Sequence, residues 1–346
     1  MKNHRRSMLY SAVFLLASSV AACGGGGSGS SSNASSDNSA SAPKDASTAQ
    51  SVIDQSNYVQ TAAHAYLAPQ SLTGLTRIND ILASGVSVET RDPGLVELAT
   101  DVLRQLVDNR GPMVTAVAQL NSCPKGGWVK VSSAGDSLTT LKPGDVIALE
   151  TNDCGVSSLK INGGLTMTVK EGSAVSLQAG TSRGVVQFQF SGLSMASGTE
   201  TSLIDGDLTV KTDQTGAGGS TLVLSGASLR KTLKKGSTVV TDRTIAGFES
   251  TIITTPGDQT SSVNYTLTAS SSSVKDLQVV VKTVTPFVSQ AANNPVSGSM
   301  LVTGAASSVA VTAVDAGNVR LDFSSKGDGA ITETKTISWS EFQKSL

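Results

Sequence analysis

The sequence predicts a mainly β fold: a large curved antiparallel sheet or barrel, with an N-terminal helical segment packed against it. Aromatic residues make up 4% of the 346 residues and charged residues 15%, while Ser, Thr, Gly and Val are abundant. That composition suits short strands and polar turns better than helices. From about residue 127 to residue 340, apolar and polar residues alternate with a period of two, which is typical of sheets with one solvated face. These patterns leave open whether the sheet closes into a barrel.

Residues 1–22 have the features of an export signal. Lys2, Arg5 and Arg6 are basic, and residues 8–20 are mostly apolar but too few to span a bilayer as a mature helix. The segment ends at Val20-Ala21-Ala22-Cys23, which resembles the lipobox of bacterial lipoproteins. The resemblance implies that residues 1–22 are removed and that Cys23 carries acyl chains. An ordinary secretory signal cleaved after Ala22 is the alternative.

The residues after Cys23 predict the location and a flexible spacer. Gly24 stands where inner-membrane lipoproteins typically carry aspartate, so the resemblance implies a lipid anchor in the outer membrane. The rest of residues 23–50 is rich in Gly, Ser, Asn and Ala and lacks apolar periodicity, so we expect a disordered tether. A tether of this length has an end-to-end distance of roughly 25–30 Å.

Residues 51–122 predict a helical segment. Val59, Ala62, Ala63 and Tyr66 fall on one helical face, and Pro69 is predicted to end that helix. Two further helices are predicted, a short one that contains Ile78, Ile81 and Leu82 and ends at Ser84-Gly85, and a longer one over residues 92–111. The second of them has an apolar stripe that needs a sheet to pack on. His64, one of two histidines, is expected to be exposed or to make a polar contact.

Residues 123–346 predict the antiparallel β-rich domain, and its first part contains the two remaining cysteines. In an oxidising envelope compartment Cys123 and Cys154 should form a disulfide that staples the start of the sheet. The loop that they close contains strand candidates at 128–131 and 145–149. Later strands show a regular apolar face, and Asn162-Gly163 and Asp205-Gly206 are predicted to be two-residue hairpin turns. The apolar-face residues are Leu165, Met167, Val169, Val186, Phe188, Phe190, Leu277, Val279, Val281, Val309, Val311 and Ala313.

The motifs that suggest catalysis lack their partners, so the sequence predicts neither catalytic residues nor a cofactor. Gly135-Asp136-Ser137-Leu138 spells the nucleophile block of GDSL-type hydrolases, but no histidine follows His64 to serve as general base. Residues 216–221 are glycine-rich without the lysine of a phosphate loop. Asp322, Ser324, Asp328 and Glu333 have a spacing reminiscent of a calcium loop, although Lys326 occupies a ligand position. A turn between two strands is the main expectation there, with a weak calcium site as the alternative.

Charge and the C-terminal motifs bear on partners. A net charge of −1 and a pI near 6.1 argue against a nucleic-acid partner. The basic cluster of Arg230, Lys231, Lys234 and Lys235 is expected to be a solvated hairpin end, or else a contact to anionic lipid or polysaccharide. Beyond the membrane that holds the anchor, an envelope protein, a lipid or a polysaccharide is a candidate partner.

The last 50 residues resemble the C-terminal ends of uncharacterised proteobacterial outer-membrane lipoproteins. The resemblance rests on residues 298–305, on the turn Gly327-Asp328-Gly329 and on Trp339-Ser340-Glu341-Phe342. It implies a strand around Trp339 and no particular activity. We therefore expect a non-enzymatic protein for binding, adhesion or envelope structure. A carrier of an apolar ligand on a concave sheet and a carboxylate-dependent hydrolase are the alternatives.

Overall fold

The computed structural model describes residues 50–73, 119–134, 142–156, 159–172, 183–215, 219–271, 274–290 and 294–345. The predicted signal peptide, Cys23, nearly all of the tether, the two helices predicted between residues 78 and 111, and the Gly135-Asp136-Ser137-Leu138 motif lie outside these residues. Within them the chain folds as one antiparallel sheet with two helices.

The strands follow one another across the sheet in chain order, and every pairing is antiparallel. They are β1 (Gln119–Ser122), β2 (Trp128–Ala134), β3 (Val146–Val156), β4 (Leu159–Gly172), β5 (Arg183–Ser197), β6 (Glu200–Thr215), β7 (Gly219–Lys235), β8 (Thr238–Thr255), β9 (Asp258–Ser271), β10 (Leu277–Gln290), β11 (Pro295–Thr303), β12 (Ser308–Ala313), β13 (Asn318–Ser324) and β14 (Glu333–Ser338). Helix α1 is Tyr58–Thr73 and helix α2 is Trp339–Gln343. Among the described residues β1 and β14 are the two edges, so the sheet is open and the predicted fold class is confirmed in its open form.

A line of register shifts crosses the sheet in mid-strand. The pairing shifts at Thr151/Cys154, Asn162/Gly164, Phe190/Leu193, Gly206/Thr209 and Ala246/Glu249, so the line runs from β3 to β9 and is broken only between β7 and β8. Because a bulge bends its strand and increases the local twist, this line gives the sheet its curvature.

The predicted hairpin turns at Asn162-Gly163 and Asp205-Gly206 are wrong, because both dipeptides lie inside long strands on this line. Gly163 has φ of 99° and Gly206 of 119°. A Cβ on either glycine would fall 2.0–2.2 Å from a carbonyl oxygen of the neighbouring strand. Positive φ is required by bulges as well as by turns, so the dipeptide signal was real but indicated a bulge.

The polar residue before or after each bulge glycine bonds an N–H of the neighbouring strand. Asn162 Oδ1 accepts from Asp153 N at 2.6 Å, and Asp205 Oδ1 accepts from Gly192 N at 2.6 Å. Asp207 accepts from the consecutive N–H groups of residues 227 and 228. The side chains thereby satisfy backbone donors that the interrupted ladder leaves without a carbonyl partner.

Helix α1 lies on the concave face and contacts β7 to β10, β12, β13 and α2. The predicted packing of an N-terminal helix on the sheet is confirmed. Four alanines of α1 are 0–1% exposed, and their small side chains allow close approach to the strands: Ala62, Ala63, Ala65 and Ala68. The predicted helix end at Pro69 is wrong, since the helix continues to Thr73.

Tyr265 explains why the helix tolerates its internal proline. Pro69 has no N–H, so it leaves the carbonyl oxygen of Ala65, four residues earlier, without its helical donor. The hydroxyl of Tyr265 in β9 donates a hydrogen bond to that oxygen. Tyr265 is 3% exposed, and burial raises the pKa of its hydroxyl well above the usual value, so the hydroxyl remains a donor.

The buried apolar residues form one contiguous core that extends from β2 to α2. All twelve apolar-face residues predicted from the alternation are buried. The strands predicted at 128–131 and 145–149 are present as β2 and β3, and four of their apolar residues are buried: Val129, Val131, Ile147 and Leu149. The period-two pattern therefore identified the concave face correctly.

The predicted pairing of Cys123 with Cys154 is confirmed, with the two sulfur atoms 1.98 Å apart. Cys123 follows β1 and Cys154 lies in β3. Backbone bonds from Lys125 N to Gly155 O and from Gly155 N to Gly126 O reinforce the same junction. The first three strands are thus joined covalently.

Helix α2 and α1 form an aromatic cluster. The ring of Tyr66 in α1 lies 5.1 Å from that of Trp339, 5.8 Å from that of Phe342 and 5.6 Å from that of Phe287. Trp339 Nε1 also donates to the carbonyl oxygen of Asp315 at 3.1 Å. The strand implied around Trp339 ends at Ser338, whose hydroxyl caps α2 by accepting from Glu341 N.

Candidate functional site

The N-terminal segment joins the fold at a fixed point. Ser51 N donates to Gln278 O at 2.8 Å, and the Ser51 hydroxyl bonds both Asp276 O and Gln278 N. On the other side Ala305 N donates to Ser51 O at 2.9 Å. Ser51 thus lies between the start of β10 and the β11–β12 turn. We call this end of the sheet the Ser51 end.

Tyr58 secures the next turn of the chain. Its hydroxyl donates to Glu333 at 2.9 Å, and its ring stacks on that of Phe323 with centroids 5.2 Å apart. Burial and the Glu333 carboxylate raise the pKa of Tyr58 to about 12. The start of α1 is therefore held to the edge strand β14 and to β13.

The expectation that His64 is exposed or makes a polar contact is wrong. His64 is 1% exposed, and neither ring nitrogen has a hydrogen-bond partner within the part of the chain that the structure describes. Burial, and to a smaller extent the positive charge of Arg243, lower the pKa of His64 to about 4. At neutral pH the ring is uncharged and forms part of the apolar packing around α1.

The residues of the weak calcium hypothesis bond to other groups. Asp322 accepts from Arg320 Nε and from the Thr334 hydroxyl, each at 2.8 Å. Glu333 accepts from Tyr58 and from Gln55, while Ser324 donates to Asp328 at 3.4 Å. The described residues contain no group of three or more His, Cys, Asp or Glu placed to hold a metal ion. Calcium binding there stays a prediction that calorimetry with calcium tests, and the loop is a β13–β14 turn as mainly expected.

The basic cluster at the end of β7 is partly neutralised. Arg230 makes a two-point contact with Asp242 at 2.6 and 2.9 Å, and the hydrogen bonds from Arg230 lower the pKa of that carboxyl. Lys235 faces Glu200 in the register between β6 and β7. Contact of Lys231 and Lys234 with anionic lipid or polysaccharide stays a prediction. No helix among the described residues is long and apolar enough to cross a bilayer.

A cavity of about 70 Å³ lies between the C-terminal half of α1 and strands β7 to β11. Its buried lining is entirely apolar: Leu224, Ile245, Phe248, Ile252, Phe287 and Met300. Its half-buried lining comprises Tyr66, Pro69, Ser250, Ser261, Ser262 and Val263. The cavity is therefore apolar at its floor and lined by hydroxyls at its opening.

The architecture defines a class: an open, curved, antiparallel meander sheet wrapped around a buried helix. No family model, no curated protein and no solved structure matches this chain. The functional argument therefore rests on the chain's own residues.

Sequence reasoning missed three of these features. The serines of the cavity are ordinary strand residues, and no local pattern reveals a gap between a helix and five strands. The burial of His64 had a weak signal, because it sits between alanines in a helix with few polar residues. The role of Tyr265 could not be found, since it depends on a contact between residues 200 positions apart.

Proposed function

We propose that the protein is a lipid-anchored outer-membrane protein with a non-enzymatic role in binding, adhesion or envelope structure. One observation carries the proposal: the segment that follows the lipobox-like Cys23 joins the sheet at Ser51 through four hydrogen bonds. An anchor at Cys23 would hold the Ser51 end near the bilayer and leave the polar convex face free to meet a partner.

The interior supports a non-enzymatic role. The alanine face of α1 packs directly on the strands. The carboxylates of Asp242 and Asp322 are paired with arginines, and the cavity lining that the structure describes contains no acidic side chain. The carboxylate-dependent hydrolase therefore gains no support from the described residues.

The anchor is tested by the intact mass of the protein isolated from a proteobacterial envelope. We expect loss of residues 1–22 and a mass increase from acyl chains on Cys23, with recovery in the outer-membrane fraction of a density gradient. Cys23→Ser is the matched control and should be recovered without lipid. A chain that begins at Cys23 but carries no acyl group would contradict the anchor and favour an ordinary secretory signal.

A further inference from the structure

We propose that the cavity between α1 and strands β7 to β11 binds the end of one saturated acyl chain, which enters past Ser250 and Ser261. This inference goes beyond the proposed function and does not depend on acylation of Cys23. It assigns to the concave face a ligand class and a binding site.

The floor of the cavity favours an apolar occupant. Six apolar side chains, all at most 4% exposed, form this floor, and they come from β7, β8, β10 and β11. None of the described residues that line the cavity is charged, so an ionised group would lose its hydration without gaining a partner among them. Filling such a cavity with methylene groups recovers the contacts that its walls lack.

The size of the cavity favours a narrow chain over a ring. Its volume of about 70 Å³ is roughly half of the ~150 Å³ of an engineered apolar cavity that admits benzene. An aromatic ring or a sterol nucleus is therefore too wide, whereas the last few carbons of an acyl chain fit. The opening allows the rest of the chain to extend outward.

The strand side of the opening carries the hydroxyls of two serines. Ser250 in β8 is registered with Val263, and Ser261 in β9 with Ile252, so these four side chains share one face of the sheet. Neither serine side chain has a hydrogen-bond partner within the described residues. On the opposite side Pro69 presents a ring and has no N–H to donate. The acyl chain is therefore expected to enter between these serines and Pro69, with its carboxyl group outside the cavity.

Isothermal titration of the full chain with dodecanoate, below its micelle concentration, tests the site. The variant Ser250→Leu/Ser261→Leu fills the opening with apolar side chains. Excluding two methylene groups from burial should weaken binding about tenfold or more. The control Ser191→Leu/Ser297→Leu makes the same changes at exposed serines and should bind as the natural chain does. Equal affinity of the filled variant, or no binding by the natural chain, would overturn the proposal.

A second variant tests the site independently if Ser250→Leu/Ser261→Leu fails to fold. Met300→Ala enlarges the floor, so more methylene groups of dodecanoate can be buried, and this variant should bind dodecanoate more tightly than the natural chain does. An unchanged affinity would contradict the assigned depth of the site.

The source of the acyl chain is distinguished by vesicles of dilauroyl phosphatidylethanolamine. Lipid that co-elutes with the natural chain, but not with the filled variant, indicates that a phospholipid chain enters the cavity. Binding of dodecanoate without lipid extraction indicates a free fatty acid. Failure of both ligands overturns the proposal while leaving the anchor at Cys23 unaffected.

Discussion

At the scale of single residues, Tyr265 compensates for the helical hydrogen bond that Pro69 cannot make. The proline removes a helical donor, and the buried tyrosine hydroxyl replaces it at the Ala65 carbonyl. The helix thus keeps its path at a position where an internal proline normally costs about 3 kcal/mol or more.

We expect Tyr265→Phe to lower the free energy of unfolding by about 1–3 kcal/mol, because the Ala65 carbonyl is left buried without a donor. In a Pro69→Ala background the alanine N–H can bond that carbonyl, so the same change should cost less. Urea unfolding of the four proteins in this double-mutant cycle measures the coupling. If Tyr265→Phe lowers the free energy of unfolding equally in the two backgrounds, the tyrosine hydroxyl does not replace the N–H that Pro69 lacks.

His64 should make folding sensitive to acid. Its pKa falls from 6.5 in the unfolded chain to about 4 in the fold. The unfolded state therefore binds the proton first as pH falls. The stability is full above pH 6.5 and declines toward pH 4 by at most about 3 kcal/mol.

His64→Gln provides the measurement of that dependence. The variant cannot titrate, so its unfolding free energy should change less than that of the natural chain between pH 6.5 and pH 4. Carboxylates such as Asp242 titrate in both proteins, and the difference between the two profiles isolates the histidine. Parallel profiles would mean that His64 is hydrated in solution.

At the scale of the elements, the line of bulges determines the curvature of the sheet. Its glycines differ from turn glycines in their surroundings. Gly206 has φ of 119° and a neighbouring carbonyl where a Cβ would lie, whereas Gly198 in the β5–β6 turn has φ of 60° and open space. A side chain at Gly198 would therefore meet only an unfavourable backbone conformation, whereas a side chain at Gly206 would also collide with the neighbouring strand.

We expect Gly198→Ala to lower the free energy of unfolding by about 1 kcal/mol. The positive φ disfavours alanine, and the reduced freedom of the unfolded chain offsets part of that cost. Gly206→Ala should cost at least 1–3 kcal/mol more than that, because the strands must also separate at the bulge. Thermal unfolding of both variants gives the comparison. A Gly206 variant as stable as the Gly198 variant would show that the bulge relaxes without cost.

Local patterns predicted the strands well and their irregularities poorly. The alternation at 165–169, 186–190, 277–281 and 309–313 identified the buried face, because the polarity of each strand residue matches the side of the sheet on which it lies. Asn162-Gly163 and Asp205-Gly206 correctly indicated a positive φ, but they did not indicate whether the chain turns back or continues as a bulged strand. That choice depends on the neighbouring strand, whose N–H groups the Asn and Asp side chains bond. The path of α1 past Pro69 and the cavity beside it likewise depend on distant strands.

At the scale of the whole molecule, the disulfide and α1 stabilise opposite parts of the sheet. Cys123 and Cys154 join β1–β3, whereas α1 contacts β7 onward. The chain-entropy model gives roughly 3–4 kcal/mol for closing this loop.

Cys123→Ala/Cys154→Ala should therefore lower the melting temperature while leaving the aromatic cluster of Tyr66, Trp339 and Phe342 in place. Calorimetry measures the first effect. Near-ultraviolet circular dichroism at a temperature below the transition measures the second. A loss of the aromatic signal would show that the two parts of the sheet are more strongly coupled than these separate contacts indicate.

The connection of Ser51 and α1 to late strands has a consequence for the order of folding. Each strand pairs with its neighbour in the chain, so hairpins can form as soon as their residues emerge. The helix emerges before any of them, yet its partners lie far along the chain: Tyr265 is 200 residues beyond Ala65, and Glu333 is 275 beyond Tyr58. The described strands that cover the alanine face of α1 are therefore synthesised long after the helix itself, and a chaperone would protect this face in the meantime.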